Sequence, residues 1–180
     1  MNIKTTLAVL PVVALTPIIC NVVVAKTYLS IEQAKEVLFP KSYMVRHPVE
    51  LNPELIYQMR KISGVRHPFN PKEVWSVGDG SWFIVDEVVG KHEMIKYAVG
   101  IDQNGRIRGV EIMQYNESYG GEVKDKSWRQ QFIGKSMKDP IQLRVDIENI
   151  AGATLSSKHL TDGVKRLMVM HDAILKRRQL

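Results

Sequence analysis

The chain has 180 residues, 44% of them hydrophobic, with 25 Lys and Arg against 19 Asp and Glu for a net charge of +6. That size and balance describe one globular domain with a modest appendage, and the mild basic excess, partly gathered at Lys176, Arg177 and Arg178 at the end of a helix, leaves no footprint for nucleic acid. The single cysteine, Cys20, rules out an intrachain disulfide, a thiolate-held iron–sulfur cluster and a Cys-x-x-Cys-His haem attachment, so redox chemistry here needs a bound organic cofactor.

From the N-terminus, Lys4 precedes an apolar run to Ile19, and Val23-Val24-Ala25 stands before Lys26. This is the pattern of an export signal cut after a small residue, so residues 1–25 are expected to be a signal peptide and residues 26–180 a single domain outside the cytoplasm. An uncleaved membrane anchor is the rival reading, because the run approaches the roughly 20 residues that span a bilayer; Pro11, Pro17 and Asn21 break it. Ile19 before Cys20 does not fit a lipoprotein signal.

Ser30-Ile31-Glu32-Gln33 forms a capping box with Leu29 placed to staple onto Ala34, predicting a short helix through Leu38 that stops at Pro40. A second helix is expected from Asn52, with Pro53 in its first position and Leu55, Ile56 and Met59 on its buried side. Val45-Arg46-His47-Pro48 recurs as Val65-Arg66-His67-Pro68; with no carboxylate or cysteine at ligand spacing, both are read as extended X-Pro connectors, not metal ligands. From Trp82 the period becomes that of strands. Trp82–Val89, Met94–Ile101 and Arg106–Tyr115 are expected to form an antiparallel meander, with Gly78-Asp79-Gly80 and Asp102-Gln103-Asn104-Gly105 as turns. After a short helix at Trp128, the alternation of Ile141, Leu143 and Val145 predicts a further strand. The expected class is α+β: an antiparallel sheet with helices packed on one face and a long C-terminal helix.

That last helix carries Leu160, Val164, Leu167, His171 and Ile174 on one stripe and is preceded by Gly152-Ala153-Thr154-Leu155-Ser156-Ser157. Its first free amides are expected near Ser156 and Ser157, where they and the helix dipole would favour a phosphate, with the Thr154 hydroxyl as a potential nucleophile. Read without reference to any family, the same block is an ordinary helix cap after a tight turn. His171 is expected to be a core histidine bonded to backbone, His92 and Glu93 to occupy a solvated turn, and His159 to lie near the phosphate cradle.

Ile150-Ala151-Gly152-Ala153-Thr154-Leu155-Ser156-Ser157 resembles the Ser-Gly-Ala-Thr-x-Thr-Ser signature of the FMN-binding domain family, found in flavin subunits of sodium-translocating NADH:quinone reductase and of Rnf complexes. The likeness extends upstream to Asp102–Gly105, to Glu117-Ser118-Tyr119-Gly120-Gly121 and to Trp128-Arg129-Gln130-Gln131-Phe132, so the family-like core covers about residues 85–175. Where the family usually has Ser before the motif glycine and Asp a few residues upstream, this chain has Ala151 and Glu148.

The resemblance implies FMN joined through its phosphate to Thr154 by a separate flavin transferase, since no histidine or carboxylate sits at triad spacing around that residue. It implies an FMN site made by Gly152, Ala153, Thr154, Ser156 and Ser157 with Glu117, Tyr119, Gly120 and Gly121, where the glycines permit close approach and Tyr119 offers a stacking face. The function it implies is electron transfer between membrane-bound or extracytoplasmic redox partners, with no catalytic acid–base pair of the chain's own. Two alternatives stand beside it: a flavin-free secreted interaction domain in which Ala151 and Glu148 have ended modification, and a reductase of small oxidants or ferric chelates that uses the same flavin.

Overall fold

The computed structural model describes residues 28–117 and 121–176. The expected signal or anchor with Cys20, and Tyr119, Gly120, Arg177 and Arg178, lie outside the described residues. Among the described residues, no helix is long and apolar enough to cross a membrane.

Helix α1 (Ile31–Leu38) opens on the expected capping box: the Ser30 hydroxyl accepts from the Gln33 amide and the Gln33 side chain accepts from the Ser30 amide. Strand β1 (Met44–Arg46) follows, then α2 (Pro53–Ser63), capped by Asn52 and ended by Gly64 in the left-handed conformation. Leu55 and Met59 are buried on α2, with Ile56 half-buried beside them. Strands β2 (Val74–Val77), β3 (Trp82–Val89), β4 (Met94–Ile101) and β5 (Ile107–Tyr115) complete a five-stranded sheet of order β1-β2-β3-β4-β5, antiparallel throughout.

The expected meander begins earlier than its sequence period indicates, because β1 and β2 are only 3 and 4 residues long, too short for alternation to register. The side chains of β3 alternate between two cores. Trp82, Ile84 and Val88 join the cluster under α2 and the C-terminal helix, whereas Phe83 and Val85 join Ala34, Leu38 and Phe39. The α+β class is as expected, and α2 and the long helix share one face, while α1 covers the other. The Arg108 guanidinium ties α1 down by donating to the Leu38 carbonyl at 2.7 Å.

A 3₁₀ turn at Gly121–Lys124 leads into α3 (Lys126–Arg129) and a second 3₁₀ turn, Gln130–Phe132. The strand expected over Ile141–Val145 is absent. One isolated bridge joins Leu143 to Ile147, and Ile141 and Arg144 have φ of 42° and 65°. The cause is Asp146, whose carboxylate accepts from the Ile141 and Gln142 amides at 3.1 and 2.7 Å and pairs with Lys135 at 2.9 Å, folding the segment into a turn. An apolar alternation cannot propagate a strand when a side chain has already claimed the backbone donors.

Helix α4 (Thr154–Met170) continues into a π-helical turn, His171–Leu175. Leu160, Val164, Leu167 and His171 are buried as the stripe requires, but Leu175 is fully buried and Ile174 only in part. The wider π turn takes up an extra residue and shifts the apolar stripe by one position.

Between α4 and the sheet lies an ion pair that is 2% exposed on both sides: Arg166 grips Asp86 of β3, Nη2 to Oδ1 at 2.6 Å and Nε to Oδ2 at 3.1 Å. The Tyr97 hydroxyl on β4 donates to the same carboxylate at 2.6 Å. Arg166 donates also to the carbonyls of Glu87 and His67. The second Val-Arg-His-Pro segment is thereby held to α4 through its backbone, while in the first the His47 ring stands edge-on to Trp82 at 5.3 Å. Gly163 makes the approach possible, since a Cβ there would fall against the Tyr97 hydroxyl and 2.7 Å from Val88 Cγ1.

Candidate functional site

A cleft of about 620 Å³ opens at the N-terminus of α4, lined by Lys91, His92, Asn116, Glu117, Thr154 and Leu155, among others. Its volume lies within the roughly 300–1,000 Å³ typical of cofactor sites. Two motifs separated by more than thirty positions in sequence, one at Glu117 and the other at Gly152–Ser156, therefore share one wall-to-wall opening.

The second motif is built from a turn and a helix start. Gly152 has φ of 81°, a left-handed conformation that glycine adopts without strain, and nothing lies within 4 Å of where its Cβ would be. The backbone, not crowding, requires glycine there. Ala153 stands at the N-cap with no side-chain cap, and the first helical bond runs from the Ser157 amide to the Ala153 carbonyl at 2.9 Å. The helix thus begins at Thr154, and of the two amides expected to be free that of Ser156 has no intrahelical partner while that of Ser157 is engaged. The amides of Thr154, Leu155 and Ser156 are the ones without an intrahelical partner. Such amides with a helix dipole behind them fit an anionic phosphate.

The two serines turn inward. Ser156 lines the cleft but its side chain is buried, with the Tyr115 hydroxyl donating to it at 3.2 Å. Ser157 is fully buried and its hydroxyl donates to the Ala153 carbonyl at 3.0 Å. Neither serves as the helix cap. Thr154 is half-buried, and its Oγ1 accepts from Asn149 Nδ2 at 3.2 Å.

The segment before Thr154 is gripped by the short Trp128 helix. Trp128 Nε1 donates to the Glu148 carbonyl at 2.8 Å, and Gln131 Oε1 accepts from the Glu148 amide at 2.8 Å. Phe132 is fully buried and stacks edge-on to Trp128, anchoring the clamp in the core. The Trp-x-x-Gln-Phe pattern therefore acts through the backbone that carries the Thr154 block.

Across the cleft, Glu117 fastens the β3–β4 turn. Its Oε1 accepts from the amides of His92 at 2.6 Å and Glu93 at 3.1 Å. Partial burial works to raise its pKa, but the amides of His92, Glu93 and Lys91 outweigh it and hold the carboxyl below its ordinary value. His92 and Glu93 are exposed, as expected of a turn, although their amides are engaged. Gly121, the other described residue of the Glu117 loop assigned to the site, opens the 3₁₀ turn and is not among the residues lining the cleft. His159 is directed to the same hairpin, its Nδ1 lying 2.6 Å from the Val89 carbonyl and 3.0 Å from that of Gly90, so this nitrogen carries the proton and is engaged by the turn. Sequence reasoning missed Lys91 and Asn116 as lining residues and Asn149 as a partner of Thr154.

A depressed carboxyl stabilises the turn fully above its ordinary pKa of 4.5 and loses that contribution as pH falls through the lower folded value. Glu117→Gln is expected to speed hydrogen exchange of the His92 and Glu93 amides by about tenfold at neutral pH, the equivalent of ~1.4 kcal/mol for a bond to a charged acceptor. Exchange rates read by NMR check this; rates unchanged in the variant would show that the turn holds itself.

A cleft of cofactor size thus opens at the N-terminus of the long helix of an α+β domain, beside amides that have no intrahelical partner. Residues 90–169 match the model of the FMN-binding domain family. The chain is 30% identical over 91 residues to a subunit of the Na(+)-translocating ferredoxin:NAD(+) oxidoreductase complex of Acetobacterium woodii, a match covering 46% of this chain and 44% of that relative. It is 32% identical over 114 residues to a subunit of the Na(+)-translocating NADH-quinone reductase of Yersinia pestis, covering 57% of this chain and 42% of that relative. The chain thus spans less than half the length of either relative.

Proposed function

We propose that this protein carries FMN joined through its phosphate to Thr154 and passes electrons between redox partners outside the cytoplasm, residues 26–180 forming the flavin domain. The observation that carries the reading is the position of Thr154: first residue of α4, on the wall of the cleft that Glu117 also lines. Thr154 Oγ1 would hold the phosphorus, and the unpaired amides of Thr154, Leu155 and Ser156 would bear the phosphate charge. Gly152 gives the chain its entry into the helix, and Lys91 brings positive charge to the cleft rim. Glu117 acts by fixing the Lys91–Glu93 turn. When bound, FMN supplies one- and two-electron redox chemistry, and the tether keeps it where no cytosolic pool can replace it.

Both relatives are subunits of Na(+)-translocating oxidoreductases, which supports electron transfer to or from a partner in such a complex. A flavin transferase is the modifying enzyme, because the side-chain partner described for the Thr154 hydroxyl is the Asn149 amide, which is not a base. Co-expression with a flavin transferase is expected to give a fluorescent band that survives denaturing electrophoresis and an intact mass raised by one FMN phosphoester. Thr154→Ala should abolish both. Fluorescence at full strength in that variant would overturn the assignment.

A further inference from the structure

We infer that Asn149 is a positioning residue for modification of Thr154: its amide donates to Thr154 Oγ1 and so directs the hydroxyl proton away from the protein wall. The inference rests on the flavin reading above. Its basis is geometric. Asn149 Nδ2 lies 3.2 Å from Thr154 Oγ1, and Asn149 Oδ1 lies 3.3 Å from Ser157 Oγ, so one planar side chain bridges the first and fourth residues of α4. Its own backbone cannot drift, because the preceding residue, Glu148, is clamped on both its amide and its carbonyl by Gln131 and Trp128. Ser157 is fully buried, and its hydroxyl shares its one proton among Asn149 Oδ1 and the carbonyls of Ala153 and Thr154, at 3.3, 3.0 and 3.3 Å.

The chemistry follows from what a threonine oxygen must do to attack a phosphoanhydride. In the transfer from a flavin dinucleotide, the Thr154 Oγ1–phosphorus bond forms and the pyrophosphate P–O bond to AMP breaks. AMP leaves with that electron pair, the threonine proton passes to a base on the transferase, and nothing is oxidised or reduced. Negative charge grows on Oγ1 as its proton departs. A donor already aimed at that oxygen stabilises the charge and costs no reorganisation at the moment of reaction. Because one side of Oγ1 is taken by the donor, the hydroxyl proton has to point elsewhere, where an external base can reach it. The same contact narrows the rotamers open to Thr154, so less side-chain freedom is lost on docking into the transferase.

Asn149→Asp is the decisive substitution, since it keeps the shape and the acceptor facing Ser157 while replacing the donor by an acceptor. Purified apo-protein, flavin dinucleotide and transferase are mixed, and phosphoester formation is followed by intact mass. Loading is expected to slow by at least about tenfold, the equivalent of ~1.4 kcal/mol. The ratio of variant to wild-type rate should fall further as pH rises through the titration of the introduced carboxyl, which can donate only while protonated. A merely structural role would leave that ratio flat. Asn149→Ala, which removes the donor without adding charge, is expected to slow loading as well and decides the matter if the first variant fails to fold. Loading of a folded variant at or above the wild-type rate would overturn the inference, meaning that the Thr154 hydroxyl donates to position 149. Failure of the wild type itself to load would instead overturn the flavin reading.

Discussion

Asp86→Ala is expected to lower the free energy of unfolding by about 3–5 kcal/mol, the usual cost of removing one partner from a buried ion pair. The change leaves the Arg166 guanidinium, 2% exposed, without its carboxylate between α4 and the sheet, and leaves the buried Tyr97 hydroxyl without its acceptor. Burial raises the Asp86 carboxyl above its ordinary value, and the charge and hydrogen bonds of Arg166 with the bond from Tyr97 offset only part of that penalty. Removing the pair altogether is a different matter. An Asp86→Leu, Arg166→Met, Tyr97→Phe triple variant should recover most of the loss, because none of the three apolar side chains needs a partner in that space. Urea unfolding followed by circular dichroism distinguishes the cases. A loss below about 1 kcal/mol for Asp86→Ala would mean that water reaches Arg166 and that the pair does not join α4 to the sheet.

Acid should destabilise the fold through His171. The ring is 2% exposed, its Nε2 has no described hydrogen-bond partner, and its pKa is lowered from 6.5 to about 4. Burial is the main cause, with Lys176 adding to it and Asp172 and Asp102 opposing. The expectation of a histidine bonded to backbone holds for its burial but not for Nε2. Folding therefore keeps His171 neutral at pH values where the unfolded chain has protonated it. Above pH 6.5 neither state is charged and nothing is lost; as pH falls from 6.5 toward about 4, the unfolded state binds one more proton and stability drops by ~1.4 kcal/mol per pH unit, or about 3 kcal/mol across the window. Removing the imidazole in His171→Asn should flatten this dependence relative to wild type. The check is a series of urea midpoints between pH 7 and pH 4, and parallel curves for the two proteins would show that His171 is protonated in the folded state.

What the sequence determined by itself is the set of features whose physics is local. A capping serine and glutamine three residues apart, a proline after Asn52, and glycine-bearing turns between alternating strands fixed α1, α2 and β3–β5, because each signal satisfies or denies backbone donors within one turn of chain. The Thr154 block was legible for the same reason, as a turn glycine at a helix start. Tertiary structure decided everything that depends on a partner far along the chain. Asp86 interrupts a strand alternation and Arg166 follows Lys165 on a helix; they become one buried pair only when residues 80 positions apart are packed together. Glu117 is a loop carboxylate until the fold sets it against the amides of His92 and Glu93, and Asn149 is a polar linker residue until the Trp128–Gln131 clamp presents it to Thr154. The missing strand at Ile141–Val145 has the same origin, since the Asp146 carboxylate takes the Ile141 and Gln142 amides away from any ladder. Apolar pattern records which side chains leave water, whereas the pairing of charges and donors depends on which surfaces the folded chain brings within about 3 Å, and only the packed tertiary structure sets that.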